Sequence, residues 1–443
     1  MRIQLSDSFT YRKLLSFVLP SVGMMVFTSI YGVVDGLFVS NYAGKTPFAA
    51  VNLVYPVLML LAAIGFMMGS GGSALVAMTL GQGCRERANR IFSMLVVVTA
   101  ASGGALTLLG ELFLPQIVVL LGADESLTPD CLTYGRIILL SLPFFMLTNM
   151  FQTFLITAEK PKLGLAVTVG AGMTNIVLDY LLVGVLPFGI AGAAWATAAS
   201  QTVGGLLPVM YFARKNDSLL RLTAFRFDGK ALWRACTNGA SELMTNISLS
   251  LVNILFNWQL MRLIGEDGVA AWGVVMYVSF IFIAIFLGYS IGVGPVIGFH
   301  YGAGHHDELR SLLRKSLVIV SVTALVLTVL SEAVNRPLTA VFVGYDAELW
   351  ALTRRAFAIY SASFLICGFN IFGSAFFTAL GNGAVSAVIS FLRTLVFQVI
   401  TVLLLPILWG LDGVWAAIVV AEGLALVVTA GFLMRMKNRY HYG

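Results

Sequence analysis

Charge is the scarcest resource in this 443-residue chain: Asp, Glu, Lys and Arg together make up 11% of it, against roughly a quarter of an average soluble domain. Histidine and cysteine are scarcer still, with four of each. Cys84, Cys131, Cys236 and Cys367 fall in or beside different apolar runs with no Cys-x-x-Cys pair, so neither a disulfide framework nor a thiolate metal site is suggested. His305-His306-Asp307-Glu308 occupies adjacent positions on a short turn, and such neighbours do not converge on one ion. No nucleophile, base and oxyanion set is apparent, and an enzyme is not expected; no cofactor is called for. What the chain has in excess is apolar surface, 59% hydrophobic residues and a mean hydropathy of +0.91. That excludes a soluble domain and a disordered chain, and leaves a polytopic membrane protein.

Apolar runs bounded by charges, glycines and prolines predict twelve helical spans, at about 14–40, 48–79, 91–113, 132–157, 163–185 and 189–212, then 235–261, 269–300, 312–331, 351–379, 384–406 and 412–434. The first run is too long for a cleavable leader and reads as the first span. Alternating the spans puts 20 of the 27 basic residues on the face that carries both termini and six on the other, with Arg393 inside a span. This asymmetry predicts a multi-pass cell-membrane protein with cytoplasmic termini. The net charge of +6 is a topology signal spread over helix ends, so no nucleic-acid partner is expected.

One constant shift, the interval from Gly44 to Gly265, lays the chain on itself. By it Gly71 meets Gly292, Gly81-x-Gly83 meets Gly302-x-Gly304, Glu111 meets Glu332, Asn149 meets Asn370, and Gly189-x-x-Gly192 meets Gly410-x-x-Gly413. The register predicts two six-helix units of the same orientation: an N-lobe over 1–212, a connector over 213–234 and a C-lobe over 235–443. Paired bundles of this kind work by rocking about a central cavity, which points to a transporter.

An ionisable group at mid-bilayer is costly, about 2.5 to 3.5 kcal/mol on insertion scales, so those within spans carry the chemistry. They are Asp35, Asp179, Glu242, Arg393 and Glu422. Asp35 and Asp179 lie late in the first and fifth spans, at similar depth, and Asn175 sits one turn before Asp179. Two such acids either share a titratable site or serve as structural acceptors between helices. Glu242 and Asn246 open a polar stripe on the seventh span that Asn253 and Asn257 continue; it faces a substrate or locks helices together. Arg393 and Glu422 reach similar mid-depth from opposite sides and suggest a structural ion pair. Pro20 shares a span with Asp35 and permits a bend there.

Tyr31-Gly-Val-Val-Asp35-Gly-Leu-Phe-Val-Ser40 and Asn175-Ile-Val-Leu-Asp179 resemble the first-helix and fifth-helix signatures of the multidrug and toxic compound extrusion (MATE) transporters. The likeness runs through both six-helix units. It implies an all-α, twelve-helix, V-shaped membrane protein of two pseudo-symmetric bundles, expelling cationic or amphipathic organic compounds against H+ or Na+. It implies that Asp35, Asn175, Asp179 and Thr197 form the ion-coupling site, and that Pro20 is the responsive bend. Some members carry a second acidic pair in the C-lobe; here Glu242 supplies one acid, but the tenth helix offers neutral Asn370. Asn149, Asn370, Glu242 and Asn246 are the expected substrate pathway, joined by the aromatics Phe154, Trp258, Tyr277 and Phe280. The expected partners are small organic cations and membrane lipid, and a monomer is expected. The alternative is a lipid-linked oligosaccharide flippase of related fold, which would line its cavity with several basic residues; Arg393 is the only one within a span.

Overall fold

The computed structural model describes residues 3–43 and 45–442; Arg2 and the repeat position Gly44 lie outside the described residues, as do the side chains of Leu37, Ser40 and Lys45. Among the described residues fourteen α-helices make up the twelve-helix fold. The first unit holds α1 (Tyr11–Phe38), α2 (Lys45–Gly81), α3 (Arg85–Leu120), α4 (Thr128–Thr157), α5 (Pro161–Asp179) and α6 (Gly189–Ala213). The second holds α7 (Gly229–Ile264), α8 (Glu266–Gly302), α9 (His306–Val343), α10 (Ala347–Ser361) with α11 (Phe364–Ala379), α12 (Gly383–Phe391) with α13 (Phe397–Trp409), and α14 (Leu411–Tyr440).

Among the described residues, ten helices are long and apolar enough to cross a bilayer singly, and α10 with α11 forms one more span, bent by 49°. The remaining span, α6, is built largely of Ala, Gly, Ser and Thr, whose low hydropathy hides it from that measure while letting it sit close to its neighbours. Gly204 and Gly205 of α6 lie against Thr148 and Phe144 of α4. Several helices outrun their sequence-predicted spans, α3 and α9 by more than a turn at each end, because a helix continues into water once its backbone is paired internally. Pro20 lies within α1 without breaking it.

Both termini reach one face. Phe9 packs edge-on to His300 with ring centres 6.3 Å apart, and Tyr440 meets Tyr301 at 5.6 Å, so the two ends converge on the end of α8. Each lobe has its own core. In the first, Phe92, Phe151, Phe154 and Phe212 cluster, with ring centres of 5.0 Å for Phe92 and Phe154 and 4.9 Å for Phe92 and Phe212. In the second, Trp272 stacks on Phe256 at 4.3 Å.

The lobes meet chiefly through α1 against α8 and α2 against α7, one contact repeated under exchange of the halves. A Cβ on Gly71 would fall 2.3 Å from the Gly239 nitrogen, and one on the matched Gly292 would fall 2.7 Å from Val18; Val18 and Gly239 are themselves a matched pair under the repeat shift. These close approaches, and those of Gly81 and Gly302 to α8 and α2, lie in the half nearest the termini. Toward the far face, Tyr277 continues the line of Gly288 three turns along α8 and is 44% exposed. The close backbone contacts between the lobes are therefore concentrated on the face of the termini.

Two segments seal that face. The connector is no loose linker: Arg221 N–H donates to Asn89 Oδ1 (3.0 Å), Thr223 N–H to Ser93 Oγ (2.8 Å), and Arg85 Nη2 to the Ser218 carbonyl (2.9 Å), all stitching it to α3. It ends sooner than the predicted 234, because Asp228 caps α7 by accepting from Ala231 N–H. The stretch before α1 bridges the lobes. Leu5 and Phe9 are buried, Leu5 N–H donates to Glu159 of the first lobe, and Phe9 N–H donates to Glu308 of the second, each at 2.8 Å. Lys315 Nζ donates to the Phe9 carbonyl.

Candidate functional site

Three π-helical turns interrupt the helices, at Val39–Ala43, Tyr180–Val185 and Leu392–Val396. The first follows Asp35 by one turn, the second begins directly after Asp179, and the third contains Arg393. An extra residue per turn re-aims side chains and loosens backbone pairing, and such turns gather where helices carry function.

In the first lobe, Gly172 of α5 lies against Phe27 and Tyr31 of α1, which sets the facing sides of the two helices. Asp35 follows Tyr31 by one turn on that side, and Asn175 follows Gly172 by nearly one. Asn175 Nδ2 donates to Asp35 Oδ1 (3.3 Å) and approaches Thr197 Oγ1 (3.5 Å). Asp179 is within side-chain reach of Asp35. Asp35, Asn175, Asp179 and Thr197, drawn from α1, α5 and α6, thus stand together.

The α5 members of this cluster are buried and short of partners, while Asp35 and Thr197 are half-buried. Asp179 is wholly buried and Asn175 is 1% exposed. Both Asp179 carboxylate oxygens and Asn175 Oδ1 lack a hydrogen-bond donor among the described residues. Among the described residues no basic side chain forms an ion pair with either acid. Two carboxylates this close, Asp179 of them wholly buried, do not both stay ionised and bare, since desolvating one costs several kcal/mol and their repulsion adds to it. A shared proton or a small cation completes the set, and the free acceptors are oxygens that suit either. Sequence reasoning missed the phenols around the pair: Tyr31, Tyr55 and Tyr134 each lie within electrostatic reach of Asp35. Only Tyr31, one turn before Asp35, carried a readable signal; Tyr55 and Tyr134 come from α2 and α4.

The second lobe holds no such bare pair. Arg393 Nε donates to Glu422 at 2.8 and 2.9 Å, the side chains being 15% and 3% exposed. Asn370, expected on a substrate pathway, is instead fully buried in this network: its Nδ2 donates to Glu422 Oε2 (2.7 Å) and to the Glu422 carbonyl (2.9 Å), and its Oδ1 accepts from Thr429 (2.9 Å). An amide satisfied at both ends has nothing left for a ligand. Its counterpart Asn149 is buried on α4 beside Gly69 of α2, with Nδ2 lacking an acceptor among the described residues.

Glu242 and Asn246 continue the line of Ala235 and Gly239 along α7, just past the point where α2 and α7 touch. Asn246 Nδ2 donates to the Glu242 carbonyl (2.8 Å), which orients the amide along its own helix. Asn253 Oδ1 accepts from Trp272 Nε1 (3.1 Å) and ties α7 to α8, the helix-locking role. Arg393 is near enough for its charge to act on Glu242. Of the aromatics, Phe154 is fully buried in the first core and not on a pathway, because Phe92 and the α2 glycines close over it. Trp258, Tyr277 and Phe280 are about half exposed.

The family model described as MatE matches the chain twice, over residues 20–181 and 243–404. The multidrug export protein MepA of Staphylococcus haemolyticus is 22% identical over 435 residues, covering 98% of this chain and 95% of that one. Among solved structures, a MATE protein in complex with MaL6 superposes with a TM-score of 0.92 at 23% identity over 97% of each chain. The outward-facing conformation of a multidrug resistance MATE family transporter of the MOP superfamily gives the same score, identity and coverage.

Proposed function

The chain belongs to the MatE family, and we propose that it is a secondary multidrug exporter that exchanges cationic or amphipathic organic compounds for H+ or Na+ through alternating access. The observation that carries this reading is the wholly buried, partner-poor Asp179 beside Asp35, with Asn175 and Thr197 next to them, inside one lobe of a two-lobe bundle. Its relatives in Staphylococcus are multidrug export proteins. The lobes divide at the connector between α6 and α7, 214–228, and the face of the termini is cytoplasmic by its excess of basic residues.

In this mechanism a cation entering from outside neutralises the acids and favours the arrangement that releases cargo outward. Its loss to the inside favours the inward-open arrangement and loading. A membrane potential of 100 mV supplies about 2.3 kcal/mol per charge, enough for a gradient of roughly fiftyfold. Exchange of one monovalent cation for another gains nothing from the potential, so a concentration gradient of the driving ion, or more than one ion per cycle, must do the work. Trp258, Tyr277 and Phe280 offer aromatic surface to an organic cation at the far face, and Glu242 offers charge. Pro20 permits the bend of α1. Against the flippase reading, Arg393, a basic residue deep within a span, is already held by Glu422.

Proteoliposomes loaded with the purified protein test the reading. With an imposed pH or Na+ gradient, a fluorescent organic cation accumulates against its own gradient, and Asp35→Asn abolishes the accumulation while leaving the fold intact. Transport indifferent to both gradients, or unimpaired in Asp35→Asn, overturns it.

A further inference from the structure

Where α2, α3 and α7 converge on the face of the termini, Arg87, Lys230 and Arg234 line one cavity of about 120 Å³, with Thr79 and Gln82 as its uncharged polar members. No carboxylate lines it. The two acids nearest in sequence are engaged elsewhere, Glu86 with Arg90 (3.4 Å) and Asp228 with the Ala231 N–H (3.0 Å). Among the described residues none of the three cations has an ion-pair partner.

Helix polarity adds to the positive field. Arg87 stands in the first turn of α3 and Lys230 in the first turn of α7; Asp228 caps the α7 terminus, whereas the α3 terminus brings unpaired N–H groups beside the cavity. The N-cap of α3, Cys84, supplies no side-chain acceptor. Three unneutralised cations and the uncapped end of α3 around a polar void are the complement of a phosphate group.

The rest of the lining identifies the source. Leu75, Met78 and Ile91 give the cavity an apolar wall, on the bilayer side of its charges. Beside it Phe225, Phe227 and Trp233 are 51%, 66% and 71% exposed, interleaved with Arg221, Arg226, Lys230 and Arg234. Exposed aromatics among basic residues at a helix end are the composition of a membrane interface, and basic clefts between helices hold anionic head groups. We propose that this cavity binds the phosphate of an anionic phospholipid from the leaflet on the face of the termini. The site takes α2 and α3 from one lobe and α7 from the other, so parting the lobes on this face dismantles it. A ligand seated there binds the shut arrangement better than the parted one and shifts the population toward it. This holds whatever the transported compound is.

The full-length protein in phosphatidylcholine nanodiscs, titrated with phosphatidylglycerol and read by native mass spectrometry, tests the proposal. Each basic residue near an anionic surface contributes about fivefold to affinity. Lys230→Gln, an exposed change that leaves the fold alone, is expected to weaken retention about fivefold, and Arg87→Gln with Lys230→Gln and Arg234→Gln about a hundredfold. Arg310→Gln with Arg314→Gln and Arg435→Gln, basic residues elsewhere on the same face, is expected to change nothing. Inorganic phosphate in the lipid-free arm distinguishes the sources, and is expected to compete only weakly. Wild-type retention by the triple Arg87, Lys230 and Arg234 variant overturns the site; inorganic phosphate binding as tightly as the phospholipid overturns the lipid as its occupant.

Discussion

Gly81 and Gly302 occupy equivalent positions in the two six-helix units, and each presses its bare Cα against the backbone of the other unit. A Cβ on Gly81 would lie 2.1 Å from the Phe299 carbonyl oxygen, and one on Gly302 would lie 2.1 Å from that of Met78. Met78 and Phe299 are themselves equivalent under the same shift. The seal on the face of the termini is thus one contact made twice about a pseudo-twofold axis. The glycines that follow at Gly83 and Gly304 turn the chain with φ of +77° and +71°, which side chains resist.

The seal makes a direct prediction. Gly302→Val puts a branched side chain where only backbone fits, and overpacking of this kind costs about 1 to 3 kcal/mol when the neighbour cannot move. The neighbour is the backbone carbonyl of Met78 in the last turn of α2, so the lobes are expected to separate on this face. Spin labels on the ends of α2 and α7 should report a longer, broader distance in Gly302→Val and in Gly81→Val. Distances equal to wild type would mean that these glycines do not set the closure.

The strap before α1 should act in the same direction. Leu5 N–H and Phe9 N–H each donate to a carboxylate, of Glu159 and Glu308 on opposite lobes. Hydrogen bonds to charged groups contribute about 1.5 to 3 kcal/mol each. Glu308→Gln keeps the shape and removes the charge, and is expected to shift the balance roughly tenfold toward the arrangement parted at the termini. Faster labelling of a cysteine introduced at Thr79 by a membrane-impermeant reagent measures it. Unchanged labelling would reduce the strap to a passive tail.

The C-lobe network should reveal itself through stability. Glu422→Gln leaves Arg393 buried without its countercharge, a loss of about 3 to 5 kcal/mol. Replacing both members with apolar residues of similar volume, Arg393→Met with Glu422→Leu, should recover most of it, although Asn370 then loses its side-chain acceptor. Thermal unfolding in detergent compares the three proteins. A Glu422→Gln protein as stable as wild type would place the pair outside the structural core of the lobe.

Much of this was written in the residues. Long apolar runs forced helices, since a backbone in lipid must pair with itself, and the constant shift between the halves announced two like units because matched glycines were matched contacts. Asp35, Asn175 and Asp179 stood out because ionisable and amide groups are conspicuous against 59% hydrophobic sequence. Thr197 entered only through family resemblance, a threonine among alanines being unremarkable by itself. Other features had no local signal. Asn370 and Asn246 read alike as polar residues in spans, yet the first is locked to Glu422 and Thr429 and the second to its own helix. Phe154 read like any aromatic able to face a ligand. Tyr55 and Tyr134 join the acids from helices that no spacing rule connects.

Composition and periodicity thus determined the class of protein, the number of crossings, the duplication and the identity of the costly charges, because each follows from what a single segment must do in a bilayer. Which side chains face one another, which face of the molecule holds the lobes in close contact, and where three lone cations come to share a cavity were decided only when the two bundles docked, since those relations join residues from separate helices and depend on how their surfaces meet.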